Sequence, residues 1–336
     1  MKSIRPETWR GYEFSGVSEE ESCTVYYLSD KDGGRGIMRV YEVLPGILMS
    51  YDILDMKSCY QDVPTVEGYI QINYCNEGCF EFELDTGEIG FIGQGDLAVC
   101  DPSSSRFVNS RIPYGKYRGI SVMIQIEKAQ QSISERIPEA ELDLHGIARR
   151  IFETNSTYLI RANASLEHIF YELYHIDERI SKPYMVLKVL ELLCFINVSR
   201  YEDQTKLPCF TQSVVETVKA AHEYINSHFT ENITVAELAV KFHISETNLC
   251  SCFKALYGQP VGTYIRGERI KYAAELLTGR TEMSVGDIAA LVGYDNQSKF
   301  AAAFKSIQGY SPLAYRKRMK NANSEQKQEI AEQTNS

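Results

Sequence analysis

The sequence of 336 residues predicts an α+β protein with several domains: an N-terminal antiparallel β sandwich or barrel, a helical connector, and a C-terminal all-α domain with two helix-turn-helix units. Three observations lead to this prediction. Residues 37–126 contain short β-like runs separated by glycine turns, which is typical of antiparallel sheets. Residues 165–198 have the spacing of amphipathic helices. Residues 235–309 contain one helical pattern twice, and such a repeat is normally one supersecondary unit used twice.

The N-terminal third has the alternation of a β domain. Residues 1–28 show little periodicity and are expected to form an arm or a first strand. In residues 68–84 apolar side chains alternate on both sides of Asn76-Glu77-Gly78, which predicts a hairpin. A glycine turn at residues 93–96 precedes a strand that stops at Asp101-Pro102, and residues 119–126 predict another strand.

Two amphipathic helices are predicted after the β region. The second begins near Pro183, whose ring suits the first turn of a helix. The apolar positions that define the two faces are Leu166, Ile169, Phe170 and Leu173 in the first helix, and Leu187, Leu190 and Cys194 in the second. Helices of this kind pack on the preceding domain or pair between subunits, so we expect a homodimer.

The internal repeat predicts helix, turn and helix in residues 235–258 and again in residues 285–309. Capping-box patterns precede both copies, at Thr234-x-x-Glu237 and Ser284-x-x-Asp287. The second helix of each copy has an apolar stripe, formed by Leu249, Cys252, Phe253 and Leu256 in one copy and by Phe300, Ala303, Phe304 and Ile307 in the other. The helix predicted between the copies, residues 260–278, is about 28 Å long at ~1.5 Å per residue. That length is close to the ~34 Å repeat of the major groove on one face of DNA.

The faces opposite these stripes carry small, polar or basic residues and no acid. A helix that enters the major groove needs close approach, hydrogen-bonding side chains and no negative charge against phosphate. An ordinary helical bundle with solvated faces is the alternative, and two matched copies disfavour it. We therefore predict double-stranded DNA as a partner, contacted by Thr247, Asn248, Cys250, Ser251, Lys254, Asn296, Gln297, Ser298, Lys299, Ala302 and Lys305.

The charge is distributed unevenly along the chain. The net charge is -10, but residues 211–320 have 13 Lys and Arg against 10 Asp and Glu, whereas residues 1–210 have 21 against 32. An acidic chain is unsuited to indiscriminate nucleic-acid binding, and a locally basic end allows a directed contact. The change of sign falls in the polar segment 201–211 and predicts a domain boundary there.

No signal peptide or membrane span is apparent, so the chain is expected to be cytoplasmic, with no membrane partner. In that compartment the nine cysteines are expected to be free thiols. Cys75 and Cys79 flank the predicted hairpin turn. Two buried thiols are favoured there over a redox switch.

Four motifs in residues 218–318 carry a family resemblance. They are Arg269-Ile270-x-x-Ala273-x-x-Leu276-Leu277, Ser284-Val285-x-x-Ile288-Ala289-x-x-Val292-Gly293-Tyr294, Ser298-x-Phe300-x-x-x-Phe304-Lys305 and Gly309-Tyr310-Ser311-Pro312-x-x-Tyr315-Arg316. With these motifs the segment resembles the DNA-binding domain of the AraC family of bacterial transcription regulators. The resemblance implies two helix-turn-helix units on a linker helix, control of genes in response to a signal, and RNA polymerase as a partner. This chain has Ser251 and Ala302 where family members commonly have arginine.

The region 25–126, with its Gly-x-Gly-Asp-Leu turn, is similar to the cupin-type sensor domain that precedes many such DNA-binding domains. Metal-binding cupins use a histidine cluster, and the first histidine of this chain is His145. We therefore predict no metal, no cofactor and no catalytic residue. Tyr51, Tyr74 and Phe82 are candidates for lining an effector pocket, although core packing is the simpler function for them.

The expected domains are a cupin-like sensor (1–126), a helical connector or dimerisation region (127–200), a linker (201–211), a DNA-binding domain (212–320) and a disordered tail (321–336). We predict a sequence-specific transcription regulator, an activator, that responds to a small-molecule effector in the β domain and is not an enzyme. Two alternatives remain open: a DNA-binding adaptor that is controlled by a protein partner and binds no ligand, and a cupin-type enzyme fused to a DNA-binding module. An enclosed cavity would favour sensing, and a filled interior would favour the adaptor.

Overall fold

The computed structural model describes residues 11–103, 107–153, 157–160, 164–177, 180–198, 204–206, 208–280 and 282–320. The expected disordered tail and residues 1–10 of the expected arm lie outside the described residues. The chain divides into two compact units. The first comprises residues 1–212 and Ala255–Gly258, and the second comprises Ser213–Lys254 and Gln259–Ser336.

The described part of the first unit contains thirteen strands and four α-helices. The strands are β1 Phe14–Glu19, β2 Thr24–Ser29, β3 Arg35–Leu44, β4 Ile47–Asp55, β5 Gln61–Val63, β6 Tyr69–Leu84, β7 Glu88–Gly93, β8 Leu97–Cys100, β9 Phe107–Arg111, β10 Tyr117–Gln125, β11 Thr157–Ile160, β12 Gln204–Lys206 and β13 Cys209–Thr211. The helices are α1 Ile126–Arg136, α2 Leu144–Phe152, α3 Ala164–Tyr174 and α4 Ser181–Val198. The first 28 residues, where one strand at most was expected, thus contain β1 and most of β2.

The strands form two antiparallel sheets that share the long strand β6. The first sheet has the order β1-β2-β3-β4-β10-β6-β8-β11-β12, and the second has the order β13-β7-β6-β9-β5. The predicted antiparallel β domain is therefore confirmed. Among the described strands β1 pairs only with β2, and β12 pairs only with β11, so the sheet is not closed. Strands β12 and β13 lie in the expected linker and lengthen the two sheets at their edges.

The predicted hairpin in residues 68–84 is wrong, because β6 continues through the expected turn. The strand has a bulge there instead: Cys75 lies opposite Gly119 and Glu77 lies opposite Arg118, so Asn76 is an extra residue. Gly78 follows with a φ of +91°. A bulge bends a strand locally, and from Cys79 onward β6 pairs within the second sheet.

Two apolar clusters hold the first unit together. One lies between the first sheet and helices α1 to α4, and it contains the predicted stripe of α3, namely Leu166, Ile169, Phe170 and Leu173. The other lies between the two sheets. On α4 the predicted face is wrong at two of its three positions: Leu187 is 61% exposed and Cys194 is also exposed, whereas Leu190 is partly buried against the core. The buried residues of this helix include Met185, Val189 and Leu192. Because α4 is apolar on nearly every side, the spacing of its apolar residues does not determine which face is buried.

The second unit is helical, as predicted. Its helices are α5 Gln212–His228, α6 Val235–Lys241, α7 Glu246–Tyr257, α8 Val261–Gly279, α9 Val285–Leu291 and α10 Gln297–Gln308, with a further helical segment at 312–320. Both capping boxes are present, at the start of α6 and at the start of α9. The stripe of α7 is buried throughout, whereas Ile307 of α10 is 47% exposed because it lies in the last turn before the Gly309 cap.

We predict that Gly78→Ala destabilises the first unit more than Gly87→Ala does. Both glycines have a left-handed backbone, which costs an alanine about 1–2 kcal/mol. A Cβ at Gly78 would lie 2.2 Å from the Lys116 carbonyl oxygen, whereas one at Gly87 would meet nothing within 4 Å. Urea unfolding followed by circular dichroism should show an additional loss of at least about 2 kcal/mol for Gly78→Ala. Equal losses in the two variants would contradict the described bulge.

Candidate functional site

The first candidate site consists of the exposed faces of α7 and α10. All eleven predicted contact residues are exposed, five on α7 and six at or on α10. The opposite faces of the same helices are buried through Leu249 and Phe253 and through Phe300 and Phe304. Each helix is thus fixed by its apolar side and presents its polar side to solvent.

Side-chain caps fix the start of both helices. Asn296 Oδ1 accepts hydrogen bonds from the backbone N–H groups of Ser298 and Lys299, at 2.9 and 3.0 Å. Ser245 Oγ accepts one from the N–H group of Asn248 at 3.2 Å. Such caps stabilise a helix by about 1 kcal/mol. Asn296 was predicted as a contact residue, and its oxygen is engaged in orienting α10. Ser245 was missed, although a serine before a helical run is a recognisable signal.

Ser251 and Ala302, which lie where family members commonly have arginine, provide few side-chain groups for hydrogen bonds to the edge of a DNA base. Ser251 Oγ donates a hydrogen bond to the Thr247 carbonyl oxygen at 2.7 Å, so its proton is used within α7. Ala302 has no polar side-chain atom. The longer polar side chains on these faces are those of Asn248, Gln297 and the lysines.

Helix α8 packs against α5 and α7 at one end and against α9 and α10 at the other. In its N-terminal half, the Tyr264 ring lies 5.6 Å from the Phe253 ring of α7, and Tyr264 Oη lies 2.8 Å from His222 Nε2 of α5. Its C-terminal half forms one apolar cluster with α9 and α10, which includes Ile270, Phe300 and Phe304. One continuous helix therefore holds the elements that carry both candidate faces.

Arg269 of α8 makes three hydrogen bonds to backbone carbonyl groups. Its guanidinium donates to Phe229 at 2.6 Å, to Glu231 at 2.6 Å and to Gly293 at 2.8 Å. These carbonyls lie in the segment after α5 and in the turn between α9 and α10. The motifs of the sequence contain Arg269, but nothing in their pattern shows that its partners are main-chain atoms.

The second candidate site is a cavity between the two sheets of the first unit, with a volume of about 60 Å³. Its wall combines aromatic and aliphatic side chains and has a polar part on the first sheet. The aromatic lining residues are Tyr12, Tyr60, Phe80, Phe82, Phe107 and Tyr117, and the polar ones include Asp52, Gln71, Asn73 and Ser121. The interior is therefore neither completely filled nor purely apolar.

Asp52 is the charged residue of this wall. It is 6% exposed, and its carboxylate accepts hydrogen bonds from Ser50 Oγ at 2.8 Å and from Ser121 Oγ at 2.7 Å. Burial raises the pKa of Asp52 to about 6, against the lowering effect of the two hydroxyl groups. Because the folded pKa lies above the unfolded one, stability falls as the pH rises from about 4 to about 6. The deficit that persists at pH 7 is about 3 kcal/mol.

The structure brings one of the three predicted pocket residues to this cavity. Phe82 lines it, whereas Tyr51 and Tyr74 lie on the opposite face of the first sheet. Tyr51 Oη donates to the Leu173 carbonyl oxygen at 2.8 Å, and the Tyr74 ring stacks on Phe170 at 3.8 Å. Successive side chains of a strand alternate between its two faces, so the interior positions of β4 and β6 are their neighbours, such as Asp52 and Asn73.

Across the described residues, no three His, Cys, Asp or Glu side chains are grouped so that they could hold a metal ion. None of the described helices combines the length and the apolar character needed to span a bilayer. Cys75 and Cys79 are both buried, and burial raises the pKa of the Cys75 thiol.

Residues 238–318 match the helix-turn-helix domain family. The HTH-type transcriptional activator AarP of Providencia stuartii is 32% identical over 107 residues, which are 32% of this chain and 76% of AarP. The uncharacterized HTH-type transcriptional regulator YdiP of Escherichia coli (strain K12) is 36% identical over 103 residues, 31% of this chain and 34% of YdiP. The C-terminal domain of AraT, a response regulator from Geobacillus stearothermophilus, is 34% identical with a TM-score of 0.30 and covers 30% of this chain and 84% of that domain.

The chain spans only about a third of the length of YdiP, whereas it spans three quarters of AarP. The match lies in the second unit, where the four sequence motifs and both capping boxes also lie. The chain belongs to the AraC family of helix-turn-helix transcription regulators.

We predict that Arg269→Gln destabilises the protein by about 2–4 kcal/mol, because glutamine cannot serve three carbonyl groups from one position. Arg266→Gln is the matched control, since Arg266 is exposed on the same helix, and it should cost less than about 0.5 kcal/mol. Chemical unfolding curves of the two variants provide the comparison. Similar losses would show that the carbonyl contacts of Arg269 contribute little.

Proposed function

We propose that the protein is a sequence-specific, DNA-binding transcription regulator, and that α6–α7 and α9–α10 are two helix-turn-helix units. The observation that carries the proposal is the pair of exposed faces on α7 and α10, which contain no Asp or Glu at the eleven contact positions. A helix with such a face suits the major groove. Helix α8, with 19 residues, is about 28 Å long at ~1.5 Å per residue. It packs on α7 near one end and on α9 and α10 near the other, which suits a fit into successive major grooves.

The contact residues fall into two groups by chemistry. Lys254 and Lys305 are exposed near the ends of α7 and α10 and would bind phosphates, which position a protein without specifying sequence. Base edges would be contacted by Thr247, Asn248, Gln297, Ser298 and Lys299 near the helix starts. With Ser251 bonded to its own helix and alanine at 302, recognition would also use thymine methyl groups and DNA shape. Modest specificity with clear salt dependence follows.

The first unit would act as a cupin-like sensor for a small molecule. The cavity supports sensing over the ligand-free adaptor, because an interior packed for stability alone would not contain a buried carboxylate beside empty space. Since AarP is described as an activator, we infer that this chain activates transcription. The family resemblance implies RNA polymerase as a partner, and we infer that the protein acts in the cytoplasm and is not an enzyme.

A homodimer through the helical connector fits the surface of α4. Leu187 is 61% exposed and Val198 is 73% exposed on this helix, and an apolar surface of this kind is favourable to bury against a second copy. Paired DNA sites would then be bound cooperatively.

We predict different effects for two substitutions on α10, measured by fluorescence anisotropy on duplexes selected in vitro from random sequence. Gln297→Ala should relax the base preference at one or two positions, with a loss of about 1–3 kcal/mol of discrimination. Lys305→Ala should weaken binding to all sequences about equally and should reduce the salt slope by about 1. Binding to single-base variants of the site is compared at two salt concentrations.

Lys271→Ala is the control for charge, because Lys271 is exposed on α8, where its ammonium lies 3.9 Å from Glu268, and it is not part of either face. It should leave base preference unchanged and change the salt slope less than Lys305→Ala does. A change of base preference in Lys305→Ala but not in Gln297→Ala would contradict the assignment of Gln297 to base contacts and Lys305 to phosphate contacts. No binding to any selected duplex would reject DNA recognition altogether.

A further inference from the structure

The interior of the first unit contains a row of polar residues on three neighbouring strands. Ser50 of β4 lies directly opposite Ser121 of β10, and Ser121 lies directly opposite Asn73 of β6. Asp52 and Gln71 lie two residues along their strands on the same face. The side of a sheet that faces a second sheet is normally apolar. This row is therefore a built polar surface, and it borders the cavity.

The row contains one negative charge that no cation of the described residues offsets. Asp52 interacts with two hydroxyl groups, and no described Lys, Arg or His forms an ion pair with it. A carboxylate has about four acceptor positions, so two remain after the hydroxyl groups of Ser50 and Ser121 are counted. A buried charge is stable only when a counter-charge and hydrogen bonds compensate for lost hydration. A cationic donor in the cavity would provide both.

The size and wall of the cavity limit what that cation can be. A water-sized occupant needs about 10–15 Å³, so 60 Å³ holds about four or five non-hydrogen atoms. The remaining wall contains the rings of Tyr60, Phe80 and Phe107. Aromatic faces attract cations and also bury apolar groups. A hydrated metal ion would leave this apolar wall unused, whereas a short alkyl chain that ends in an ammonium group would use both parts.

We propose that the effector cavity binds a small primary alkylammonium ion, with its ammonium group on Asp52 and its alkyl chain among the aromatic rings. This ligand class rests on the proposed sensing function of the first unit. It excludes carboxylates of the same size, because a second negative charge beside Asp52 would be repelled in a low-dielectric interior. Charge-assisted hydrogen bonds to the carboxylate provide selectivity over a neutral alcohol.

The test compares propylammonium, 1-propanol and propionate on the full chain at pH 7.5, with potassium chloride at equal concentration as the ionic control. Thermal shift and ligand-observed NMR report binding. Propylammonium should bind with a Kd of roughly 0.1–10 mM, as expected for a four-atom ligand, and at least about tenfold more tightly than the alcohol. This comparison needs no substitution, so it stands whatever the variants do.

Asp52→Asn should lower the affinity for propylammonium at least about tenfold and should remove the preference over 1-propanol. Asp55→Asn is the matched control, since Asp55 lies on the same strand, is 58% exposed and pairs with Arg118 at 2.8 Å, and it should leave binding unchanged. Equal or tighter binding of the alcohol or propionate, an equal effect of potassium chloride, no binding of any probe, or retained binding in Asp52→Asn would each overturn the proposal. DNA binding is measured separately, so loss of the ligand proposal leaves the DNA-binding proposal intact, and the reverse also holds.

Discussion

The packing of α8 against two helix pairs is the constraint on which the second unit depends. Tyr264 holds α5 and α7 at one end of this helix, and the cluster around Ile270 holds α9 and α10 at the other. Arg269, near the middle, connects three main-chain carbonyl groups to the same helix. Because α8 is a single unbroken element, the two exposed faces are fixed relative to a common axis.

A polar side chain has opposite effects on stability in the two units. Arg269 stabilises the second unit, since each of its hydrogen bonds pairs a main-chain carbonyl group in the segment after α5 or in the turn between α9 and α10. Asp52 destabilises its unit at neutral pH, because it is buried and ionised next to two hydroxyl groups only. Departures from the rules of core packing are expected at functional sites. The buried carboxylate of Asp52 therefore indicates a functional site in the first unit.

The features that sequence predicted well are local ones. Capping boxes, the stripe of α7 and the exposed polar faces depend on residues within one or two helical turns, and the structure contains all of them. The features that the sequence did not predict depend on contacts with residues that are distant along the chain. The bulge in β6 depends on Gly119 of β10 and on Lys116, which directly precedes β10, and the sequence around residue 76 also suits a hairpin. The buried face of α4 depends on which side of the helix packs against the core. In the same way, the packing of β4 decides that Asp52, and not Tyr51, faces the space between the two sheets.

We propose that α8 holds α7 and α10, the two helices that would contact bases, about one major groove apart. Methylation interference with the fragment 211–320 on a selected duplex tests it directly, because guanine N7 lies in the major groove. Two interfering segments on one face of the DNA, about one helical turn apart, are the predicted result. Interference confined to a single groove would contradict the claim.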